Sequence, residues 1–149
     1  MRAVIQRVDH AGVKINRKEF SSINEGILVF LGVEKGDLET DADYILEKSI
    51  NLRIFEDEND KMNVSLLDIN GSMMVVSQFT LLGDCIKGRR PSFTAAEEPA
   101  KANKLYEYFV GRAKEKVREV ATGKFQEMMK IELINNGPVT ILLDSRKNF

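Results

Sequence analysis

The sequence has one cysteine, Cys85, one histidine, His10, and no tryptophan. A single cysteine rules out an intrachain disulfide, and a free thiol suits a reducing cytoplasm. With one histidine and one cysteine, no metal site can be built from several His or Cys ligands, and neither an HExxH nor a CxxC motif occurs. A Ser-His-Asp triad would have to use His10, and no G-x-S-x-G elbow supports one. No metal or cofactor is therefore expected. No apolar run approaches the roughly 18 to 20 residues that cross a bilayer, and Arg2 and Arg7 interrupt the opening segment, which does not read as a signal peptide. No membrane association is expected, and the location implied is cytoplasmic. Charge of one sign is also lacking. The formal net charge is −1, whereas a protein that coats long stretches of nucleic acid is far more basic, so any nucleic-acid contact should be confined to a few phosphates or one end of a molecule.

What is present suits one globular unit. The 149 residues are 43% hydrophobic and 30% charged, and a chain of this length buries about 70% of the surface it exposes when unfolded. No repeat, linker or low-complexity segment divides it, so residues 1–149 read as a single domain. Residues 1–8 and 13–15 read as strands around a turn near Gly12, and the apolar run 27–33 reads as a buried strand. From Thr40 the period changes. Ala42, Ile45, Leu46, Ser49, Ile50 and Arg53 follow helical spacing, with Thr40 or Asp41 as the cap. A short strand at 53–55 and a longer one over 72–81 follow. A second helix spans about 99–120, with Pro99 in its first turn and Ala102, Leu105, Phe109, Ala113 and Val117 as its apolar stripe. Two strands, 125–133 and 139–143, end the chain. Strands outnumber helices, and βαβ alternation is not evident. The expected fold is α+β, with a mostly antiparallel or mixed sheet, curled or barrel-like, and two main helices.

Three stretches carry candidate chemistry. Ser77-Gln78-Phe79-Thr80 ends an apolar strand; it either emerges into solvent or presents Gln78 and Thr80 on one face as hydrogen-bonding groups. In Asn135-Asn136-Gly137-Pro138-Val139-Thr140 the proline marks an edge or a turn. It is either an ordinary trans turn or a cis peptide that aims two neighbouring carbonyls at a ligand's ammonium group. Lys87-Gly88-Arg89-Arg90 sets three cations near Phe93 and is either a solvated loop or a phosphate contact. His10 and Cys85 read as structural.

Taken together, these segments resemble the D-aminoacyl-tRNA deacylase family, the D-Tyr-tRNA deacylase enzymes. The likeness extends from the opening Met1-Arg2-Ala3-Val4-Ile5-Gln6-Arg7-Val8 through residues 26–33 and 51–57. It includes the two signatures, Ser77-Gln78-Phe79-Thr80-Leu81 and Asn135-Asn136-Gly137-Pro138-Val139-Thr140, with Arg90-Pro91-Ser92-Phe93 between them. The resemblance implies a homodimer with active sites at the interface. Ser77, Gln78, Phe79 and Thr80 would line the pocket. Gly137 and Pro138, braced by Arg7, would enter the partner's pocket to hold the α-ammonium and exclude L-amino acids. The implied reaction is hydrolysis of the D-aminoacyl-tRNA ester at the acceptor end; if L-residues are rejected sterically, Gly-tRNA is expected to be cleaved too, and the charge of Lys87, Arg89 and Arg90 would place them on tRNA phosphates. Two other readings stay open at this point: a non-catalytic RNA-binding module and a hydrolase of small esters. Thr80 is a conceivable nucleophile, but no base is identified beside it. Orientation and an oxyanion hole of backbone N–H groups are the preferred chemistry.

Overall fold

In a computed structural model, which describes residues 1–149, the first strand, β1 (Arg2–Ile15), is continuous through Gly12. The turn expected there does not form, because pairing carries the strand through the small and polar residues at its middle. On one side β1 pairs β8 (Lys130–Asp144) antiparallel along almost its whole length. On the other, its first half pairs β3 (Gly26–Gly32) and its second half pairs β2 (Lys18–Ile23), both antiparallel. The polar β2 was not expected from its sequence. It forms because Asn16 and Arg17 both adopt positive φ, 51° and 66°. That is the two-residue hairpin geometry whose twist matches the flanking strands.

Beyond β3 the sheet is parallel. β6 (Ser72–Ser77) pairs β3, and β7 (Glu119–Thr122) pairs β6. Helix α1 (Glu39–Asn51) lies in the crossover from β3 to β6, and α2 (Pro99–Lys116) in that from β6 to β7. The sheet is mixed and curled, as expected, but its parallel half does contain helix crossovers, which the sequence reading missed. The crossover through α2 was hidden because α2 ends at Lys116, not 120, whereas the one through α1 joins two strands evident in the sequence whose parallel pairing was not. Val117 is already extended, and Glu119–Thr122 belongs to β7. The sheet almost closes: Ser21 Oγ on β2 donates to the Thr122 carbonyl on β7 at 2.7 Å. A small antiparallel pair, β4 (Phe55–Glu56) and β5 (Met62–Val64), lies apart.

Alternation along the central strands builds two cores. Ile27, Val29 and Leu31 on β3 and Met73 and Val75 on β6 pack with Ile45, Leu46, Ile50, Leu105 and Phe109 of the helices. Leu28, Met74 and Val76 face the other way, into a smaller cluster with Val8, Val13 and Ile23 inside the curl. Burial on both faces explains why these strands read as unbroken apolar runs. Gly26 lets β3 and β6 approach at their start, since a Cβ there would lie 1.8 Å from the Ser72 carbonyl oxygen. The apolar stripe of α1 is buried as its spacing predicted, apart from Arg53, which lies past its end. Its start differs from expectation. Leu38 is the cap residue, and Asp41, in the first turn, accepts the Leu38 N–H at 2.9 Å. No helix is long and apolar enough to cross a membrane.

Candidate active site

β6 stops at Ser77, so residues 78–81 do not continue the strand. Phe79–Leu82 form a 3-10 turn, which overturns the expected alternation of Ser77 and Phe79 against Gln78 and Thr80. The first hydrogen bond of the turn runs from Leu81 N to the Gln78 carbonyl, at 3.3 Å. The N–H groups of Phe79 and Thr80 precede it and have no partner within the turn. The Gln78 N–H is used, donating to the Leu31 carbonyl at 2.8 Å, and this ties the segment to the end of β3. The Gln78 side-chain amide donates to Thr80 Oγ1.

Ser77, Gln78 and Phe79 line a cavity of about 620 Å³ at the carboxyl end of β6; Thr80 is exposed beside it. The remaining wall comes from Leu31, Val33, Ala102, Tyr106, Phe125, Met128 and Met129, among others. It is mainly apolar. Phe79 is 59% exposed and meets Phe93 edge to face, with ring centroids 5.1 Å apart.

Two titratable side chains of this wall, Glu97 and Tyr106, are poor proton-transfer groups. The Lys101 ammonium, 2.8 Å from Glu97 Oε2, together with the Glu98 N–H, lowers the Glu97 pKa to about 2. Glu97 is therefore ionised throughout the neutral range and is a weak base. Burial pushes the Tyr106 hydroxyl well above its ordinary value, and it donates to the Val75 carbonyl at 2.8 Å. Glu127 pairs with Lys124 at 3.1 Å. Neither His10 nor Cys85 lines the cavity. The arrangement can orient a substrate and offer backbone donors, but it supplies no nucleophile–base pair.

The second signature lies elsewhere. Pro138 does not divide β8 into two strands. Gln6 is opposite Thr140 and Val8 opposite Asn135, so the four residues 136–139 bulge out across from Arg7 alone. The Gly137-Pro138 peptide is cis, and Gly137 has φ +125°. A Cβ on Gly137 would lie 2.9 Å from Arg7 Nη2, so both the backbone angle and the close approach call for glycine. Arg7, 6% exposed, reaches under the bulge. Its Nε donates to the Asn136 carbonyl at 3.0 Å and its Nη2 to Asn136 Oδ1 at 3.1 Å. Its Nη1 donates to the Ile54 carbonyl at 2.7 Å. Glu56 Oε1 is 3.7 Å from Nη2. Arg7, Glu56 and Asn136 border a separate recess of about 210 Å³.

Within one chain the signatures do not meet. Following the pairing from β8 through β1 and β3 to β6, they are about 13 Å apart along the strands and about 14 Å across them. The third stretch is a loop closed at its base by Asp84 and Ser92, which exchange backbone hydrogen bonds of 2.7 and 2.9 Å. Lys87, Arg89 and Arg90 are all exposed on it.

Sequence reasoning missed Tyr106, Glu97 and the 125–129 wall. Residues 125–129 were expected to begin a strand, but β8 starts only at Lys130. Tyr106 was legible as the helical neighbour of Ala102. The bracing roles of Asn135 and Asn136 depend on the bulge and had no sequence signal beyond the run of amides.

A model of the D-Tyr-tRNA(Tyr) deacylase family matches residues 4–144. A D-aminoacyl-tRNA deacylase of Syntrophus aciditrophicus (strain SB) is 63% identical over 149 residues, covering the whole of both chains. One of Clostridioides difficile (strain 630) is 58% identical, again over the whole of both. Among solved structures, a c-Myc DNA unwinding element binding protein has a TM-score of 0.92 at 36% identity, covering 97% of this chain and 98% of its own. A probable eukaryotic D-amino acid tRNA deacylase shares the fold, with a TM-score of 0.80 at 16% identity, covering 95% and 97%. On the family match and on full-length identities of this size, the chain belongs to the D-Tyr-tRNA(Tyr) deacylase family.

Proposed function

We propose that this chain hydrolyses the ester joining a D-amino acid to the 3′ end of tRNA, releasing the free D-amino acid and the tRNA. In this reading it acts as a homodimer, and Gly137-Pro138 of one copy enters the cavity lined by Ser77, Gln78 and Phe79 of the other. One observation carries the proposal. The Gly137-Pro138 segment is exposed and hydrogen-bonded at both ends, yet lies far from its own chain's cavity. β8 supports the same reading, because it pairs with β1 along one edge only and exposes Ile134 and Leu142. Long unpaired edges are usually covered.

In this reading, carbonyl oxygens around Gly137-Pro138 receive the substrate's α-ammonium. The peptide then fills the space an L-configured Cβ would need. A D-configured Cβ points away, and glycine has none, so Gly-tRNA is a substrate as well. Water attacks the ester carbon, and the N–H groups of Phe79 and Thr80 hold the charge that develops on the carbonyl oxygen. The carbon–oxygen bond to the ribose breaks, and the ribose oxygen takes up the proton that the water gives up, relayed by the neighbouring 2′-hydroxyl. Such a mechanism asks little of the protein in acid–base chemistry, which accords with the cavity's side chains. Lys87, Arg89 and Arg90 contact acceptor-stem phosphates, and free Cys85 is compatible with a cytoplasmic setting.

Deacylation of tRNA charged with the D- and L-forms of one amino acid, and with glycine, tests the proposal. Cleavage of the D-aminoacyl and glycyl esters with sparing of the L-aminoacyl ester is expected. Binding of D-aminoacyl-tRNA without turnover would instead make the chain an RNA-binding module. Equal cleavage of both enantiomers would leave only an unselective esterase. Glycine resisting as well as the L-amino acid would mean that the D side chain is recognised positively.

A further inference from the structure

The bulge at 136–139 has no ladder partners on β1, so side chains must hold it. Asn135 ties its far end: Oδ1 accepts the Val139 N–H at 2.8 Å, and Nδ2 donates to Thr140 Oγ1 at 3.2 Å. Its near end hangs on Asn136, one residue before the cis peptide. An asparagine amide can turn over, exchanging its oxygen for its NH2 group. Arg7 constrains only the oxygen. The NH2 group meets a second partner, because Asn136 Nδ2 donates to Asp9 Oδ1 at 2.6 Å. Asp9 stands two residues after Arg7 on β1, at a second irregularity in the pairing: Val8 is opposite Asn135 and His10 opposite Ile134, so Asp9 itself has no partner on β8. Asn136 thus lies between a guanidinium that can only donate and a carboxylate that can only accept. The opposite charges select one orientation of the amide. Arg7 also grips the Asn136 backbone carbonyl, so that orientation is coupled to the path of the chain into Gly137.

We infer that Asp9 and Asn136 are positioning residues for stereochemical selection: the oriented chain Arg7–Asn136–Asp9 sets where the Gly137-Pro138 peptide stands. The inference rests on the reading of that peptide as the chiral filter. It requires residue 136 to accept from Arg7 and donate to Asp9 simultaneously. Asn136→Asp keeps the acceptor but loses the donor, and it brings two carboxylates to hydrogen-bond distance. Adding Asp9→Asn reverses the polarity of that contact, so that an amide at position 9 donates to a carboxylate at 136 while Arg7 keeps its acceptor.

The measurement is the ratio of kcat/KM for D- over L-aminoacyl-tRNA carrying the same amino acid, with thermal midpoints recorded beside it. Asn136→Asp is expected to lower the ratio by about tenfold or more, since small displacements of a positioning group are costly. Asp9→Ala lowers it by less, because water can take the place of the lost acceptor. The double variant Asn136→Asp/Asp9→Asn returns it to within about threefold of the starting protein, a coupling that independent sites would not show. A wild-type ratio in Asn136→Asp, or a double variant no better than Asn136→Asp, overturns the inference. Should Asn136→Asp not fold, a wild-type ratio in Asp9→Ala overturns it, and a lowered one supports it. Pro138→Ala separates the filter from its support. If it leaves the ratio unchanged, the filter reading itself fails. If it collapses the ratio while the Asn136 and Asp9 variants leave it unchanged, only the positioning chain fails.

Discussion

The Gly137-Pro138 bulge and the 84–92 loop are both exposed excursions from the sheet, but they are held in opposite ways. In the bulge the two ends are tied by side chains. Arg7, Asn135, Asn136 and Asp9 hold its two ends, and the peptide they carry is fixed before any ligand arrives. The loop is closed at its base by Asp84 and Ser92, and the Asp84 carboxylate accepts the Ile86 N–H at 2.8 Å. Its three cations stand apart from the protein's ion pairs, all of which lie elsewhere. On the proposed function, the contrast would separate two kinds of recognition. A filter that works by occupying space must be rigid. A phosphate contact needs only charge, which its ligand then orders.

The largest expected effect comes from breaking the rigid side. Arg7→Ala leaves the Ile54 carbonyl and both oxygens of Asn136 without their donor. It should destabilise the fold by about 3 kcal/mol in denaturant titrations and reduce discrimination between D- and L-aminoacyl-tRNA. Unchanged stability would mean that the bulge holds itself without this buried cation.

Neutralising Lys87, Arg89 and Arg90 together should act on binding only. The dependence of tRNA affinity on salt should flatten by about one unit of slope for each phosphate that is no longer neutralised, while the D-to-L ratio stays put. A changed ratio with an unchanged slope would invert the roles of the two regions.

The smallest effect is expected at the turn beside the cavity. Thr80→Ala keeps the backbone N–H, so kcat should fall by no more than about tenfold, whereas loss of a true nucleophile costs several orders of magnitude. Capture of an acyl group on Thr80 would show that this turn acts through its side chain and not through its backbone.

Legibility followed the range of the interactions involved. The stripe of α1, the Pro99 start of α2 and the apolar runs of β3 and β6 were readable because each is written in neighbouring residues. β1 was read as two strands because the small and polar residues near Gly12 weaken the local pattern; β8, distant in sequence, supplies the missing pairing. β8 was itself divided at Pro138 for the same reason. A proline without an N–H looks like a break, but in a bulge on an edge strand no ladder bond is required of it. The end of α2 was overrun because Val117 and Val120 continue an apolar pattern whose second part belongs to β7.

The two signatures divide in the same way. Their residues and order were plain in the sequence, and so was the scarcity of histidine and cysteine that argues against a conventional triad or metal site. What Ser77 to Thr80 present depended on where β6 stops, and that is decided by pairing with β3 up to Leu31. What holds Gly137 depended on Arg7 lying 129 residues before Asn136 and directly beneath it. Composition and local periodicity determine which segments are buried and which residues are available for chemistry. Which of them stand together, and which stand too far apart to form one site within a chain, is set by strand register between distant segments, and no window of sequence contains that information.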